Sequence, residues 1–183
     1  VLTSGRRGEW DSDFIYLGQV LKIRDGSYIM YYSGGQDILL ANDWFIGMAT
    51  SKDGIKWKKY NDPGTSQHPF TESDPVMMTG KAGDWDAELL LACAVVKLPE
   101  GFGMYYSCGA IGYATSMDGI HWDKYRKNPF YTLVDDPYWY KMIKKDAALQ
   151  GAKHLFRDTL CFMYYDYAHC ENSAISMAIA EIK

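Results

Sequence analysis

The stretch "YIMYYSG", residues 28–34, is the strongest indication of the fold because it occurs three times. Its variants are "FGMYYSC" at 102–108 and "CFMYYDY" at 161–167. Each is short and rich in aromatic and aliphatic residues, and turn-forming residues lie close by, which is typical of a buried β-strand. A sequence that repeats one strand at long intervals is expected to repeat a whole structural unit around it.

Two further motifs flank each copy of this strand. An apolar segment led by an acidic residue precedes it, and the acid lies 17, 16 and 17 residues ahead of the methionine in the three copies. The leading acids are Asp13, Glu88 and Asp146. A strand of small residues follows, namely "IGMATS" at 46–51, "IGYATS" at 111–116 and "ISMAIA" at 175–180. The constant order and spacing make the three acids equivalent positions.

The first two copies end in a further shared pattern, "SKDGIKWKKY" at 51–60 and "SMDGIHWDKY" at 116–125. Asp-Gly supplies the positive φ of a tight turn, and the tryptophan is expected to pack the strand that follows. Each unit is then four antiparallel strands, the blade of a β-propeller. The sequence predicts an all-β protein of about three such blades, incomplete or closed by oligomerisation.

We expect one domain over residues 1–183, with blades at approximately 10–80, 85–134 and 141–183. Residues 1–9 are then the tail of a preceding or closing blade, because "VLTSGRRGEWD" at 1–11 matches "VMMTGKAGDWD" at 76–86. The identical Trp-Asp pair in both stretches predicts a structural role for Asp11 and Asp86 at a junction between blades.

Composition excludes several classes of function. The net charge of -4, without a basic cluster, argues against a nucleic-acid or anionic-membrane surface. The four cysteines lack the spacing of a zinc or redox motif, so we expect no metal and no cofactor. The sequence shows no basic-then-apolar leader and no apolar run of about 20 residues, which predicts a soluble cytoplasmic protein.

The combination "MYYSG…IGMATSKDGIKWKKY" and "GDWD…MYYSCGAIGYATSMDGIHWDKYRKNPF" resembles the five-bladed β-propeller glycoside hydrolases and their relatives. This group includes arabinanases and xylosidases, β-fructosidases and proteins similar to mannoside phosphorylases. The resemblance implies catalytic carboxylates near the start of the innermost strand of successive blades, facing a central pocket. The matching positions are Asp13, Glu88 and Asp146.

The resemblance implies a role for each acid, because glycoside hydrolysis needs a proton donor and a base or nucleophile. Glu88 is the expected general acid, Asp13 the base or nucleophile, and Asp146 the group that tunes a pKa or orients the sugar. Aromatic rings that stack on a sugar are expected at Trp10, Trp85, Tyr138 and Trp139.

Two functions of different class stay open. The first is a glycosidase or glycoside phosphorylase acting on a plant or microbial oligosaccharide through the three acids. The second is a non-catalytic carbohydrate-binding or self-assembling module that keeps the blades without a complete active site.

Closure of the ring also has two solutions. Either the chain is part of a longer five-bladed enzyme, or two chains meet head to tail and Val1 of each adds to the third blade of the other. Because an open propeller leaves apolar faces uncovered, we expect a homo-oligomer in either case.

Overall fold

The computed structural model describes residues 1–36, 44–108 and 110–132, and three backbone strands at 148–157, 160–169 and 172–181. All regular structure in these ranges is β, in three sheets that follow one another along the chain. The all-β prediction is confirmed, and the sheets are successive propeller blades. Within the same ranges there is no helix long and apolar enough to cross a membrane.

The first sheet has five strands. They are β1 (Phe14–Lys22), β2 (Tyr28–Gly35), β3 (Phe45–Ser51), β4 (Lys58–Lys59) and β5 (Pro75–Met77). The strands β1 to β4 lie side by side and antiparallel, with the repeated Met-Tyr-Tyr motif in the second position. One half of β3 pairs with β4 and the other half with β5. The fourth strand of this blade is therefore split by the segment 60–74.

The second sheet repeats this arrangement with β6 (Leu91–Lys97), β7 (Phe102–Ser107), β8 (Ile111–Ser116) and β9 (Asp123–Lys124). A bridge from Ile111 to Tyr131 takes the place of β5. The third sheet contains β10 (Ala148–Arg157), β11 (Leu160–His169) and β12 (Asn172–Glu181) in that order. The third copy lacks the Asp-Gly pattern of the first two, and among the described residues its sheet has three strands.

The first and second sheets pack face to face through their aromatic strands. Tyr31 of β2 is fully buried; its hydroxyl donates to the carbonyl of Gly119 at 2.9 Å, and its ring lies edge-on to Trp122 at 5.8 Å. The core at this contact joins Met77 from the first sheet to Leu90 and Met104 from the second, each at most 5% exposed. Apolar burial on both faces of the middle strands thus holds neighbouring blades together.

The inner strands of the three blades are neighbours: β1 lies against β6, and β6 lies against β10. Because β1 and β3 are both antiparallel to β2, they run in the same direction. A parallel bridge from Trp44, just before β3, to Leu89, just before β6, gives β6 that direction too. The backbone N–H of Val95 also donates to Gln19 Oε1 at 3.3 Å. The strands β1 and β6 therefore begin at the same end of the molecule.

The two Asp-Gly turns are built alike. In the second sheet Asp118 Oδ1 accepts the N–H groups of Ile120 and His121 at 2.8 and 2.9 Å, and Trp122 Nε1 donates to the Gly119 carbonyl at 3.1 Å. The first sheet makes the same bonds from Asp53. Gly54 and Gly119 have φ of 73° and 82°, which explains the glycine. These aspartates are turn formers, as predicted.

His121 allows a test of this turn by pH titration. Its Nδ1 lies 2.7 Å from Asp118 Oδ2, and this hydrogen bond, with the charge of Asp118, raises the pKa of His121 above its ordinary value of 6.5. The stabilisation is fully present below pH 6.5 and is lost as the pH rises through the raised pKa. We expect Asp118→Asn to return the pKa of His121 toward 6.5, measured by NMR of the ring protons.

The control for this titration is Asp53→Asn, the same substitution in the first turn, where Lys56 stands in place of the histidine. It is expected to leave the pKa of His121 unchanged. A His121 pKa at or below 6.5 in the wild-type protein would contradict the contact.

Candidate functional site

Two of the three predicted acids lie at the same end of adjacent inner strands. Asp13 directly precedes β1, and its backbone N–H donates to the carbonyl of Gly35 at 3.2 Å. Glu88 lies three residues before β6, next to the bridge that joins Leu89 to the first sheet. Both side chains are exposed to solvent. Asp13 and Glu88 therefore precede neighbouring inner strands at the same end of the molecule.

An aromatic cluster of Phe14, Tyr16 and Trp44 stands beside Asp13. The ring of Phe14 lies 4.0 Å from that of Trp44 and 5.5 Å from that of Tyr16, centroid to centroid. Gly35 leaves the space for this contact, because a Cβ there would lie 2.6 Å from Trp44 Cδ1. Trp44 is 7% exposed and its Nε1 has no hydrogen-bond partner among the described residues, whereas Tyr16 is 49% exposed. The cluster thus combines a half-exposed tyrosine ring with a buried tryptophan N–H.

Part of this cluster is visible in the sequence, although it was not among the predicted site residues. Phe14 and Tyr16 alternate along β1 and so share a face of the strand. Trp44 directly precedes β3, which is separated from β1 by β2, and the antiparallel pairing of the three strands brings it to Phe14.

The thiol of Cys108 contacts the backbone of the segment that carries Glu88. Burial raises the pKa of its thiol above the usual range, although the backbone N–H groups of Leu89 and Glu88 hydrogen-bond to the sulfur. The thiol is therefore held neutral and contacts the main chain of the segment that carries the second carboxylate.

Trp10 lies in the core rather than at the rim. Its side chain is 2% exposed, it stacks on Tyr32 at 5.8 Å, and its Nε1 donates to Ser73 Oγ at 3.1 Å. Trp85 makes the equivalent stack on Tyr106 at 5.6 Å and is partly exposed. Each of these two tryptophans thus has one ring face covered by a tyrosine, and Trp10 is buried in addition.

The aspartates that follow these tryptophans form a repeated buried cluster. Asp11 Oδ2 accepts from Lys59 Nζ at 2.5 Å and from the Tyr32 hydroxyl at 3.2 Å. In the second sheet Asp86 Oδ2 takes the same bonds from Lys124 at 2.6 Å and Tyr106 at 3.2 Å. Asp11 is 0% and Asp86 2% exposed. We call each set an Asp–Tyr–Lys cluster; the burial agrees with the structural role predicted for these aspartates.

The clusters perturb their tyrosines in the same way. Burial, followed by the charge of Asp11 and the hydrogen bond to it, raises the pKa of Tyr32 far above its usual range. Burial and Asp86 do the same to the pKa of Tyr106. Both tyrosines therefore stay neutral and act as donors to their aspartates.

The remaining predicted site residues, Asp146, Tyr138 and Trp139, lie outside the described residues. In the ranges 1–36, 44–108 and 110–132, no three His, Cys, Asp or Glu side chains are grouped as they would be around a metal ion. The described residues at this end of the inner strands thus include Asp13, Glu88 and the aromatic cluster beside Asp13.

The fold is shared with solved structures of glycoside hydrolases. A complex of BT0996 and RGII is similar with a TM-score of 0.71 and 18% identity, over 97% of this chain and 56% of that one. A thermostable family-43 glycoside hydrolase gives 0.61 and 19%, over 92% and 54%. Zg3597, a family 117 glycoside hydrolase from Zobellia galactanivorans, gives 0.63 and 14%, over 98% and 46%.

These structures belong to five-bladed propeller families, so the resemblance inferred from the repeats is confirmed for the fold. The chain spans about half the length of the structures it matches. In sequence, neither a protein-family model nor a curated protein matches the chain.

Proposed function

We propose that this chain carries part of a carbohydrate site of the glycoside hydrolase type, with Asp13 and Glu88 as its reacting carboxylates. The observation that supports the proposal is their placement: two exposed acids at the starts of adjacent parallel inner strands. Glycoside hydrolysis needs two carboxyl groups facing each other across one bond. An inner rim of parallel strands is a place where neighbouring blades can supply one each.

In this proposal Glu88 protonates the leaving oxygen, and Asp13 acts as base or nucleophile at the sugar carbon. Asp146, the equivalent residue of the third copy, orients the sugar. Tyr16, which is 49% exposed, offers an aromatic ring for the C–H groups of a sugar. The substrate class is a plant or microbial oligosaccharide.

A second function is a non-catalytic carbohydrate-binding module. It needs only polar and aromatic side chains that a sugar can reach, and Asp13 and Tyr16 are both exposed.

The test is a screen of aryl glycosides of arabinose, xylose, mannose and fructose, followed by Glu88→Gln. If the chain is an enzyme, we expect turnover by the wild-type protein that falls about a hundredfold in the variant, because one proton donor is lost. Glu100→Gln is the matched control: Glu100 is an exposed glutamate in the turn at the opposite end of β6.

Calorimetric titration with the corresponding oligosaccharides separates the two functions. Binding that is weakened by Tyr16→Ala, in a protein without turnover, supports the module. If Glu88→Gln and Glu100→Gln leave turnover equally intact, the assigned carboxylates are wrong. If the wild-type protein shows no turnover and no sugar binding, the proposed carbohydrate site is wrong.

A further inference from the structure

The segment from Glu88 to Leu91 connects the second predicted acid to its inner strand β6. The register between β6 and β7 shifts between Leu91 and Ala94, so the regular pairing of the sheet is interrupted close to this segment. On the side of the first sheet, the N–H of Leu90 donates to the carbonyl of Trp44 at 2.9 Å. The position of Glu88 therefore depends on contacts outside the regular strand pairing.

Two side chains at the end of β7 hold this segment. Ser107 is 2% exposed, and its Oγ donates to the carbonyl of Leu91 at 3.1 Å. The sulfur of Cys108 accepts the backbone N–H groups of Glu88 and Leu89. Both ends of the segment 88–91 are thus attached to the end of β7 by side chains.

The first sheet has the same two repeat positions but does not use them in this way. Ser33 and Gly34 occupy them. Ser33 is buried, and its Oγ has no hydrogen-bond partner among the described residues. Gly34 leaves no room for a side chain, because a Cβ there would lie 2.8 Å from the Cβ of Asp11. The side-chain contacts to the acid's segment are therefore a property of the second sheet and not of the repeat in general.

The charges around the thiol agree with its position next to Glu88. Burial is the largest cause of the raised pKa of Cys108, and the charges of Asp86 and Glu88 raise this pKa further. The thiol thus lies within electrostatic reach of the Glu88 carboxylate and also contacts its backbone.

We propose that Ser107 and Cys108 are positioning residues that fix the Glu88 carboxylate relative to Asp13. The role rests on the proposed function, in which Glu88 protonates the leaving oxygen. A proton donor acts only within hydrogen-bond distance of that oxygen. The stereochemical outcome also depends on the separation of the two carboxyl groups, about 5 Å for retention and about 6.5–9.5 Å for inversion. A segment attached at both ends keeps that separation constant.

Replacing either residue by alanine is expected to reduce turnover in a way that depends on the leaving group. With phenyl glycosides, whose leaving oxygen needs a proton, Ser107→Ala and Cys108→Ala should lower kcat about tenfold, because the proton donor is misplaced. With dinitrophenyl glycosides, whose leaving group departs without a proton, kcat should change less than about twofold. Cys108→Ser should recover part of the loss, since its hydroxyl oxygen can accept the same N–H groups.

The matched control is Ser33→Ala, which removes a hydroxyl from the equivalent position of the first sheet and should leave both rates unchanged. Glu88→Gln should show the same dependence on the leaving group as the alanine variants. Circular dichroism and thermal melts establish which variants are folded. A loss of folded protein lowers the rate with both leaving groups by the same factor, so it is distinguished from a misplaced proton donor.

Hydrogen exchange of the Glu88 and Leu89 amides, followed by NMR, tests the contact without turnover. Both amides should exchange about tenfold faster in Cys108→Ala and at the wild-type rate in Ser33→Ala, because only the first variant removes their acceptor. If exchange becomes faster but the wild-type protein has no turnover, the attachment of Glu88 is supported and the proposed function is wrong. Unchanged exchange, or a loss of kcat that is equal for both leaving groups, overturns the positioning role.

Discussion

Replacing Asp86 by alanine is expected to lower the free energy of unfolding by about 2–4 kcal/mol, because it removes the buried carboxylate that accepts from both a lysine and a buried tyrosine. Asp86 is 2% exposed and bonds both Lys124 at 2.6 Å and the Tyr106 hydroxyl at 3.2 Å. Without it the Tyr106 hydroxyl loses its buried acceptor, and Lys124, whose side chain is 29% exposed, loses its carboxylate partner. The loss is comparable to a large part of the stability of a small domain.

Chemical denaturation followed by tryptophan fluorescence measures this loss. Tyr106→Phe removes only the hydroxyl, which also accepts from Asn128 Nδ2 at 3.1 Å, and is expected to cost about 1–3 kcal/mol. Asp123→Ala, at an exposed site next to Lys124, is the control and should change the free energy of unfolding by about 0.5 kcal/mol or less. An Asp86→Ala protein as stable as this control would show that the cluster does not hold the blade.

Replacing Trp10 by alanine is expected to lower the free energy of unfolding by about 3–5 kcal/mol, as for other large side chains removed from a core. Trp10 is 2% exposed, stacks on Tyr32 and lies 6.1 Å from the ring of Phe45. The result also distinguishes a structural role of Trp10 from the sugar-binding role that the sequence analysis predicted. A core role predicts lost stability, whereas a binding role predicts lost sugar affinity in a protein of normal stability.

Two milder variants divide the Trp10 effect. Trp10→Phe keeps a ring on Tyr32 but loses the hydrogen bond to Ser73, and Ser73→Ala removes the same bond from the other side. Each is expected to cost about 1–3 kcal/mol, since a buried donor or acceptor loses its partner. If Trp10→Ala left the midpoint of denaturation unchanged and abolished sugar binding, the core assignment would be wrong.

Most of the fold could be predicted from short sequence motifs. The Met-Tyr-Tyr strand, the small-residue strand and the Asp-Gly turn are each encoded by a motif of at most ten residues. The first two sheets form as those motifs predict. The split fourth strand was not predicted, because β5 is separated from β4 by a long segment and pairs through only two residues. Such a pairing depends on tertiary packing more than on the preference of the three residues for a strand.

The candidate site divides in the same way. Equal spacing in the repeat identified Asp13 and Glu88 as equivalent, which is a property of the sequence alone. Their position at one end of neighbouring strands depends on the bridge between Trp44 and Leu89 and on the direction it gives β6. The aromatic cluster beside Asp13 likewise joins residues from two strands that are not adjacent in the sheet.

Trp10 and Trp85 show that a sequence repeat predicts equivalent positions but not their burial. The residues alone show that the Trp-Asp pairs are equivalent and that three acids recur before the inner strands, because a repeated unit repeats its local chemistry. Which rings are covered and which are exposed depends on packing in the folded chain. Tyr32 covers one face of Trp10 and the second sheet covers Tyr31, whereas Tyr16 is 49% exposed, because burial is set by what lies across the sheet.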